Sequence, residues 1–291
     1  MPKIDIVIPV FNGGNYINKC LISIANDIPE EFKGSRVIIV DDGSTDSSIS
    51  ILESLAIQLT DILEIKIIKN PKNMGITYSL NKGFSECIHK YVYRMDIDDI
   101  WMPGRLLTQY NVLKFGQVAI VGGQAKSMTG RKNKAYTPKN VSLYDFFIAS
   151  PCIHPTLAIN TNLIKEFFYR AESPFDDYYL LCSNLLLGNK IINIESKLIE
   201  YNDEKVPSRL SIIKSGNLHS KFWLIRIEIL KLIILRCFWS SKLRKKNQYH
   251  LLMRLIEIIK RPEESKFYMP LQLVIFLNKT ISKIARFFAR A

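Results

Sequence analysis

The sequence predicts an α/β fold: a mostly parallel sheet flanked by helices, followed by a basic α-helical extension. Three observations carry this. Short runs rich in Ile and Val alternate with segments of helical spacing through residues 4–95. Acidic motifs follow two of those runs directly, at the strand ends where sheets of this kind bind ligands. Charge is segregated: residues 219–291 hold 16 Lys/Arg against 4 Asp/Glu, a net of +12, whereas residues 1–218 hold 24 against 23.

Ile4–Val10 is apolar and β-branched and reads as the first strand. Asn15 to about Ile28 has helical spacing through Ile17, Leu21, Ile24 and Ile28. Arg36–Val40 reads as a buried strand, stopped by Asp41-Asp42-Gly43-Ser44, and Thr45 or Asp46 is placed to cap a helix running to about Leu59. Glu64–Lys69 reads as a third strand. Ile76, Leu80, Phe84 and Ile88 recur every four residues and make one helix face. Tyr91–Met95 reads as a fourth strand, ending at Asp96. Continuous Ile/Val runs separated by helices imply a parallel sheet covered on both faces. Further on, a helix is expected after Pro103, a strand at Val118–Val121, a basic loop at Lys126–Lys139 and a helix at Asp176–Leu187. From Leu218 onward the pattern is helical and basic throughout.

Composition excludes several classes. With 47% hydrophobic and 23% charged residues in 291, the chain has ample material for a core and is neither disordered nor collagenous. The cysteines, Cys20, Cys87, Cys152, Cys182 and Cys237, are scattered, without zinc-ligand or disulfide-framework spacing. Met1–Pro9 carries Asp5 and Pro9 and reads as a strand, not as a secretory leader. The longest charge-free run, Phe146–Ile164, holds two prolines, a histidine and two asparagines, unlike a membrane span. A cytoplasmic location is therefore expected.

Three acidic motifs carry chemistry. In Asp41-Asp42-Gly43-Ser44, carboxylates at a strand end can accept from a nucleobase N–H, and Gly43 permits a tight turn beside a ligand; the plain alternative is a capped β–α turn. In Asp96-Ile97-Asp98-Asp99, two carboxylates two residues apart point to one side of an extended chain and suit a hard divalent cation; the alternative is a surface turn. Asp176-Asp177 enters a helix, where one carboxylate can serve as a general base or simply favour the helix dipole.

Taken together, these motifs resemble the bacterial glycosyltransferase family 2, with its GT-A fold. The resemblance rests on Ile8-Pro9-Val10-Phe11-Asn12, Val40-Asp41-Asp42-Gly43-Ser44-Thr45-Asp46, Asn73-Met74-Gly75 with Leu80-Asn81-Lys82-Gly83, and Met95-Asp96-Ile97-Asp98-Asp99 followed by Pro103-Gly104-Arg105-Leu106. It is strong over residues 3–110, weaker over 111–215 and absent over 218–291. It implies a Rossmann-like sheet and inverting transfer of a sugar from a nucleotide-diphosphate donor, UDP favoured, to a hydroxyl of a glycan or lipid-linked acceptor, in synthesis of a bacterial surface polysaccharide or lipopolysaccharide.

The resemblance also implies roles. Residues 1–125 would form the nucleotide-sugar half and residues 126–217 the acceptor and catalytic-base half. Pro9, Val10 and Phe11 would line the nucleoside site, with Asp41 and Asp42 on base and ribose. Asp98 would ligate Mn²⁺ or Mg²⁺, with Asp96 toward the ribose or the metal. Asp177 would be the base, with Asp176 as the alternative. Where many relatives carry Tyr-Arg-x-His, this chain has Tyr201-Asn202-Asp203-Glu204. The Gln-x-x-Arg-Trp motif of processive members is absent, so one sugar is expected per encounter. His154 is a candidate for the acceptor side or a satisfied structural group; His89, His219 and His250 read as ordinary surface or helix residues.

The extension at 218–291 has two readings. Lys279, Lys283, Arg286 and Arg290 share one helical face, as in a basic amphipathic helix on an anionic membrane surface, which would place the enzyme on the inner face of the cytoplasmic membrane. Alternatively its apolar face packs on the catalytic body. Nucleic acid is not expected as a partner, because no recognition motif accompanies the charge. Two further functions compete. A sugar nucleotidyltransferase would need a Gly-rich phosphate loop, and Gly13-Gly14 is too little. A catalytically degenerate membrane-bound scaffold would fit the altered segment at 201–204.

Overall fold

Alternate residues of the first strand, β1 (Ile4–Val10), enter different cores: Ile4, Ile6, Ile8 and Val10 join one apolar cluster, and Val7 joins another. That is the signature of a strand buried on both faces. The computed structural model describes residues 2–204 apart from 132–134, 143–144, 148–149, 165–168 and 170–175. The expected basic extension at 218–291 and Leu218 itself lie outside the described residues.

Beside β1 stand β2 (Ser35–Asp41), β3 (Leu63–Lys69) and β4 (Tyr91–Arg94), all parallel to it or to each other in the order β3-β2-β1-β4. The sheet continues through β7 (Ala158–Asn160), β6 (Ile120–Ser127), β8 (Ile191–Tyr201) and β5 (Ile100–Trp101), eight strands in all among the described residues. β7 is antiparallel to both β4 and β6, so β6 and β8 again run in the direction of β1. β5 lies antiparallel on β8. The sheet is thus mostly parallel.

Helices cover both faces. On one side lie α1 (Gly14–Ala25), α2 (Ser48–Gln58) and α4 (Arg105–Leu113), contributing Ile17, Leu21, Leu52 and Leu106 to the larger cluster. On the other lie α3 (Ile76–Ser85) and α5 (Asp176–Leu186), contributing Leu80, Phe84 and Leu181. Gly83 lets α3 approach closely: a Cβ there would sit 2.6 Å from a methyl of Val7. The expected division at residue 125 falls inside β6, and strands from both halves share the sheet.

Several local expectations are corrected. α3 ends at Ser85, so Ile88 is not on its buried face but exposed. The residue before α2 is Ser47, and Asp46 does more than cap: it accepts from the N–H and hydroxyl of Ser48 and from the N–H of Gly14, tying the starts of α1 and α2 together. The strand expected at 118–121 runs on to Ser127, so the basic stretch from Lys126 begins within β6. His89 is not an ordinary surface group; its Nδ1 lies 3.0 Å from the buried carboxylate of Asp5.

Candidate active site

Because β1, β2, β4, β6 and β8 run the same way, their carboxyl ends meet at one edge. That edge collects the turns at 11–13, 42–47 and 95–99 and the segment after Tyr201. The first two turns are stitched: Asn12 N–H donates to Ser44 Oγ, Thr45 N–H to Asn12 Oδ1, and Gly13 N–H to Ser48 Oγ. Pro9 is half-buried and Val10 buried in the core, whereas Phe11 is exposed, the only member of that expected trio to present a large apolar side chain to solvent.

Asp96, Asp98 and Asp99 converge, each with an oxygen within 4.8 Å of the others'. Asp96 and Asp98 are half-buried; Asp99 is buried. Asp99 Oδ1 accepts from the N–H of Asn202 at 2.9 Å, while its Oδ2 has no hydrogen-bond partner among the described residues. Burial, and then the carboxylates of Asp96 and Asp98, hold the Asp99 carboxyl well above the usual range. An oxygen kept dry and unpaired beside two other acids suits a divalent cation with oxygen ligands.

Two buried arginines stand behind the triad. Arg94 Nη1 lies 2.6 Å from Asp96 Oδ2. Arg105 donates to the carbonyls of Arg94 and Pro155, both at 2.9 Å, and to Gln109 Oε1, and its guanidinium lies 4.0 Å from the centre of the Trp101 ring. Gln109 in turn donates to the carbonyls of Val121 and Thr156. The Pro-Gly-Arg-Leu segment therefore fastens the end of β4 and the 154–156 turn to α4. Cys20 Sγ reaches the carbonyl of Asp96 from below at 3.6 Å, and burial together with the three acids pushes its thiol up.

Asp41 and Asp42 are both buried but differently engaged. Asp41 Oδ2 accepts from Ser44 N–H at 3.2 Å, and its Oδ1 has no partner among the described residues. Asp42 Oδ1 accepts from Met74 N–H and Asn70 Nδ2, and its Oδ2 from Gly75 N–H, each at 2.8 Å. Asp176 and Asp177 open α5; their side chains lie outside the described part. The chain leaves α5 at Leu186 and enters β8 at the amino edge of the sheet, so both acids stand at the far end of that helix. His154 Nε2 lies 2.7 Å from the hydroxyl of Tyr169, and burial and then Arg94 hold its pKa well below the usual histidine value.

Three contributors were given no role of their own by the sequence, although Arg105 and Asn202 lie in segments it singles out. Asn202 reaches Asp99 only because β8 returns to this edge. Arg94 looks like the end of a strand, and Arg105 like the start of a helix. Asp203, next to Asn202, is held down to about 2 by the hydroxyls of Thr129 and Ser127, which it anchors to the same corner.

With this geometry in hand, relatives can be compared. The sequence profile of Glycosyl transferase family 2 matches residues 5–174, more than half of the chain. An uncharacterized glycosyltransferase of Haemophilus influenzae is 25% identical over 69% of this chain and 65% of its own length. The amylovoran biosynthesis glycosyltransferase AmsE of Erwinia amylovora is 24% identical over 63% of this chain and 69% of its own. Among solved structures, residues 1–349 of S. aureus TarS in complex with UDP-GlcNAc superpose with a TM-score of 0.64, at 17% identity, over 88% of this chain and 72% of that one. The mannosyltransferase PcManGT of Pyrobaculum calidifontis, in complex with GDP-Man and Mn²⁺, gives a TM-score of 0.56 at 16% identity over 100% and 88%. These likenesses show the GT-A fold.

Proposed function

This chain belongs to glycosyl transferase family 2, and from that premise we propose that it is an inverting, metal-dependent, non-processive glycosyltransferase. It moves one sugar from a nucleotide-diphosphate donor, UDP favoured, to a hydroxyl of a glycan or lipid-linked acceptor. The observation that carries this reading is the meeting of Asp96, Asp98 and Asp99 at the carboxyl edge of the sheet, with Asp99 Oδ2 buried and unpaired among the described residues. Asp98 and Asp96 would hold Mn²⁺ or Mg²⁺, with Asp99 beside them. When bound, the cation neutralises the charge that develops on the leaving diphosphate.

Other parts of the edge supply the rest. Asp41, with one oxygen lacking a donor, is suited to a base or ribose N–H or O–H. Phe11 offers an apolar surface to the nucleoside, beside Pro9 and Val10. Asp177, or Asp176 next to it, takes the proton from the acceptor hydroxyl. The acceptor oxygen attacks the sugar on the face opposite the leaving diphosphate, so one base suffices and no covalent intermediate forms.

Relatives' names support the broader setting. One acts in amylovoran biosynthesis, and another is a poly(ribitol-phosphate) beta-glucosyltransferase, 35% identical over 130 residues. We take the product to be a bacterial surface polysaccharide or lipopolysaccharide. No helix among the described residues is long and apolar enough to cross a membrane. Attachment of residues 218–291 to the anionic inner face of the cytoplasmic membrane is the location that best fits a lipid-linked acceptor. The second reading, a degenerate scaffold, is favoured by one observation: the segment whose Asn202 N–H reaches Asp99 carries Glu204 at the position where many relatives have a histidine.

A thermal-shift screen of UDP, GDP, CMP and dTDP, each with and without Mn²⁺, tests the proposal. Ligand binding to the native state raises apparent stability by mass action. A shift with one diphosphate that requires Mn²⁺, followed by turnover of the matching nucleotide sugar, is the expected outcome. Binding without turnover in any acceptor-bearing membrane extract would favour the scaffold.

A further inference from the structure

β4 sends alternate side chains to opposite faces of the sheet. Tyr91, Tyr93 and, just past the strand, Met95 enter the larger cluster, and Val92 enters the smaller. Arg94 takes the next position on the smaller cluster's face, where an apolar side chain would be expected, and is 1% exposed. Its main chain is tied on both sides: its N–H donates to the carbonyl of Leu157 and its carbonyl accepts from Arg105 Nη2, both at 2.9 Å. The two buried arginines of the site are held in different ways. Arg105 gives its donors to Gln109 and to the carbonyls of Arg94 and Pro155. The guanidinium of Arg94 has one ion-pair partner among the described residues, Asp96, with Nη1 2.6 Å from Oδ2, and its Nε is buried without a hydrogen-bond partner there.

We propose that Arg94 is a positioning residue: from behind the acid triad it fixes the carboxylate of Asp96 in the orientation that meets the donor and its cation. The inference rests on the functional reading above and gives Arg94 no contact with substrate. Its physical basis is what each arginine is held by. A guanidinium is costly to bury, and an apolar side chain of similar volume at position 94 would serve folding at least as well. Arg105 offsets that cost with carbonyls that belong to the fold. Arg94 offsets it with a carboxylate at the ligand edge that is still 26% exposed. Because both peptide groups flanking Arg94 are tied down, its contact with Oδ2 sets where the Asp96 carboxylate stands before any ligand arrives. Oδ1 and the remaining lone pair of Oδ2 stay available to a ligand.

The experiment titrates the full chain with UDP, and separately with GDP, in Mn²⁺ and in chelator. Arg94→Lys keeps the charge but loses the planar fork and its reach. In Mn²⁺ it is expected to weaken nucleotide binding by about 10–100-fold, the range for losing the partner of a metal ligand, and to raise the Mn²⁺ concentration at half-saturation. In chelator its nucleotide affinity is expected to match that of the unsubstituted chain. In an Asp96→Asn background the same Arg94→Lys change is expected to cost less than about twofold, because the group it acts through is gone. Melting in chelator reads the pair without metal or nucleotide. Arg94→Met strands a carboxylate beside two other acids and should lower the melting temperature, and should lower it much less when combined with Asp96→Asn.

An equal loss of affinity for Arg94→Lys with and without Asp96→Asn would overturn the inference, since Arg94 would then act on something other than Asp96. An equal loss in Mn²⁺ and in chelator would overturn it as well, as damage to the nucleotide site at large. Melting lowered by Arg94→Met to the same extent with and without Asp96→Asn would remove the pair itself. Failure of the functional reading looks different: the unsubstituted chain would bind neither UDP nor GDP in a way that requires Mn²⁺, and the inference would fall with it.

Discussion

The two edges of the sheet each bury an aspartate, and the contrast between them separates scaffold from site. At the amino edge, Asp5 is fully buried and fully engaged: it accepts from the N–H groups of Ile88 and His89 and from His89 Nδ1, and Arg36 stands 3.6 Å away. At the carboxyl edge, Asp99 is equally buried, crowded by two other acids and left with an oxygen unpaired among the described residues. Both carboxylates cost free energy to bury. The first is offset within the chain. The second is not offset among the described residues, which is what distinguishes a candidate site from a brace.

This contrast can be broken at either end. The largest effect is expected on chemistry: Asp177→Asn should keep Mn²⁺-dependent donor binding and lose transfer by roughly 10²–10⁴-fold, read in turnover assays beside nucleotide binding. If Asp177→Asn stays active and Asp176→Asn is dead, the base moves by one residue. Next, Asp98→Ala should reduce metal-dependent donor affinity by at least about 100-fold, equal to a few kcal/mol of lost charge stabilisation; unchanged affinity in a Mn²⁺ titration would take Asp98 out of the metal site.

The amino edge should respond in stability alone. Asp5→Asn breaks a buried pair and faces an amide against N–H donors, a cost of about 3 kcal/mol. A fall in melting temperature of roughly 6 °C or more, with donor KM unchanged, is the expected result. A changed KM would mean that the two edges are coupled.

The smallest effect has the opposite sign. Asp99→Asn keeps the oxygen that Asn202 needs but removes a charge. The folded-state pKa of Asp99 lies above its unfolded value, so ionising it costs stability as pH rises above about 4, the ordinary carboxylate range. In chelator, Asp99→Asn should therefore melt roughly 2–4 °C higher at pH 7, corresponding to about 1 kcal/mol. The gain should vanish as pH falls through the ordinary carboxylate range. A variant less stable at pH 7 would show that Asp99 is braced like Asp5.

Much of residues 4–99 was legible in the sequence because its signals are local. β1 to β4 are compact Ile/Val or aromatic runs, and the acids after β2 and β4 stand beside them in sequence. The far side of the sheet was not. β5 and β7 have two and three residues, too few to show a period. β8 alternates poorly because Glu195, Ser196 and Lys197 interrupt it where it is exposed, and its partner β6 shifts register twice between Gly122 and Ala125. The engagement of Asp42 by Asn70, Met74 and Gly75 was equally hidden. It depends on residues 70–75 folding back over Gly43, which no pattern around position 42 announces.

The hydrogen bond from Asn202 to Asp99 closes a loop of 103 residues, and this has a consequence for how the molecule comes into being. Contacts so distant in sequence form late, after the ends have been brought together by other pairings. A chain emerging from the ribosome completes β1 to β4 and displays its acids long before β8 exists to cover Asp99. Until then the aspartates are open to water, and their mutual repulsion is relieved by solvent. β8, the last strand among the described residues, both completes this sheet and buries Asp99, so the shielded carboxylate at the carboxyl edge is a late product of synthesis.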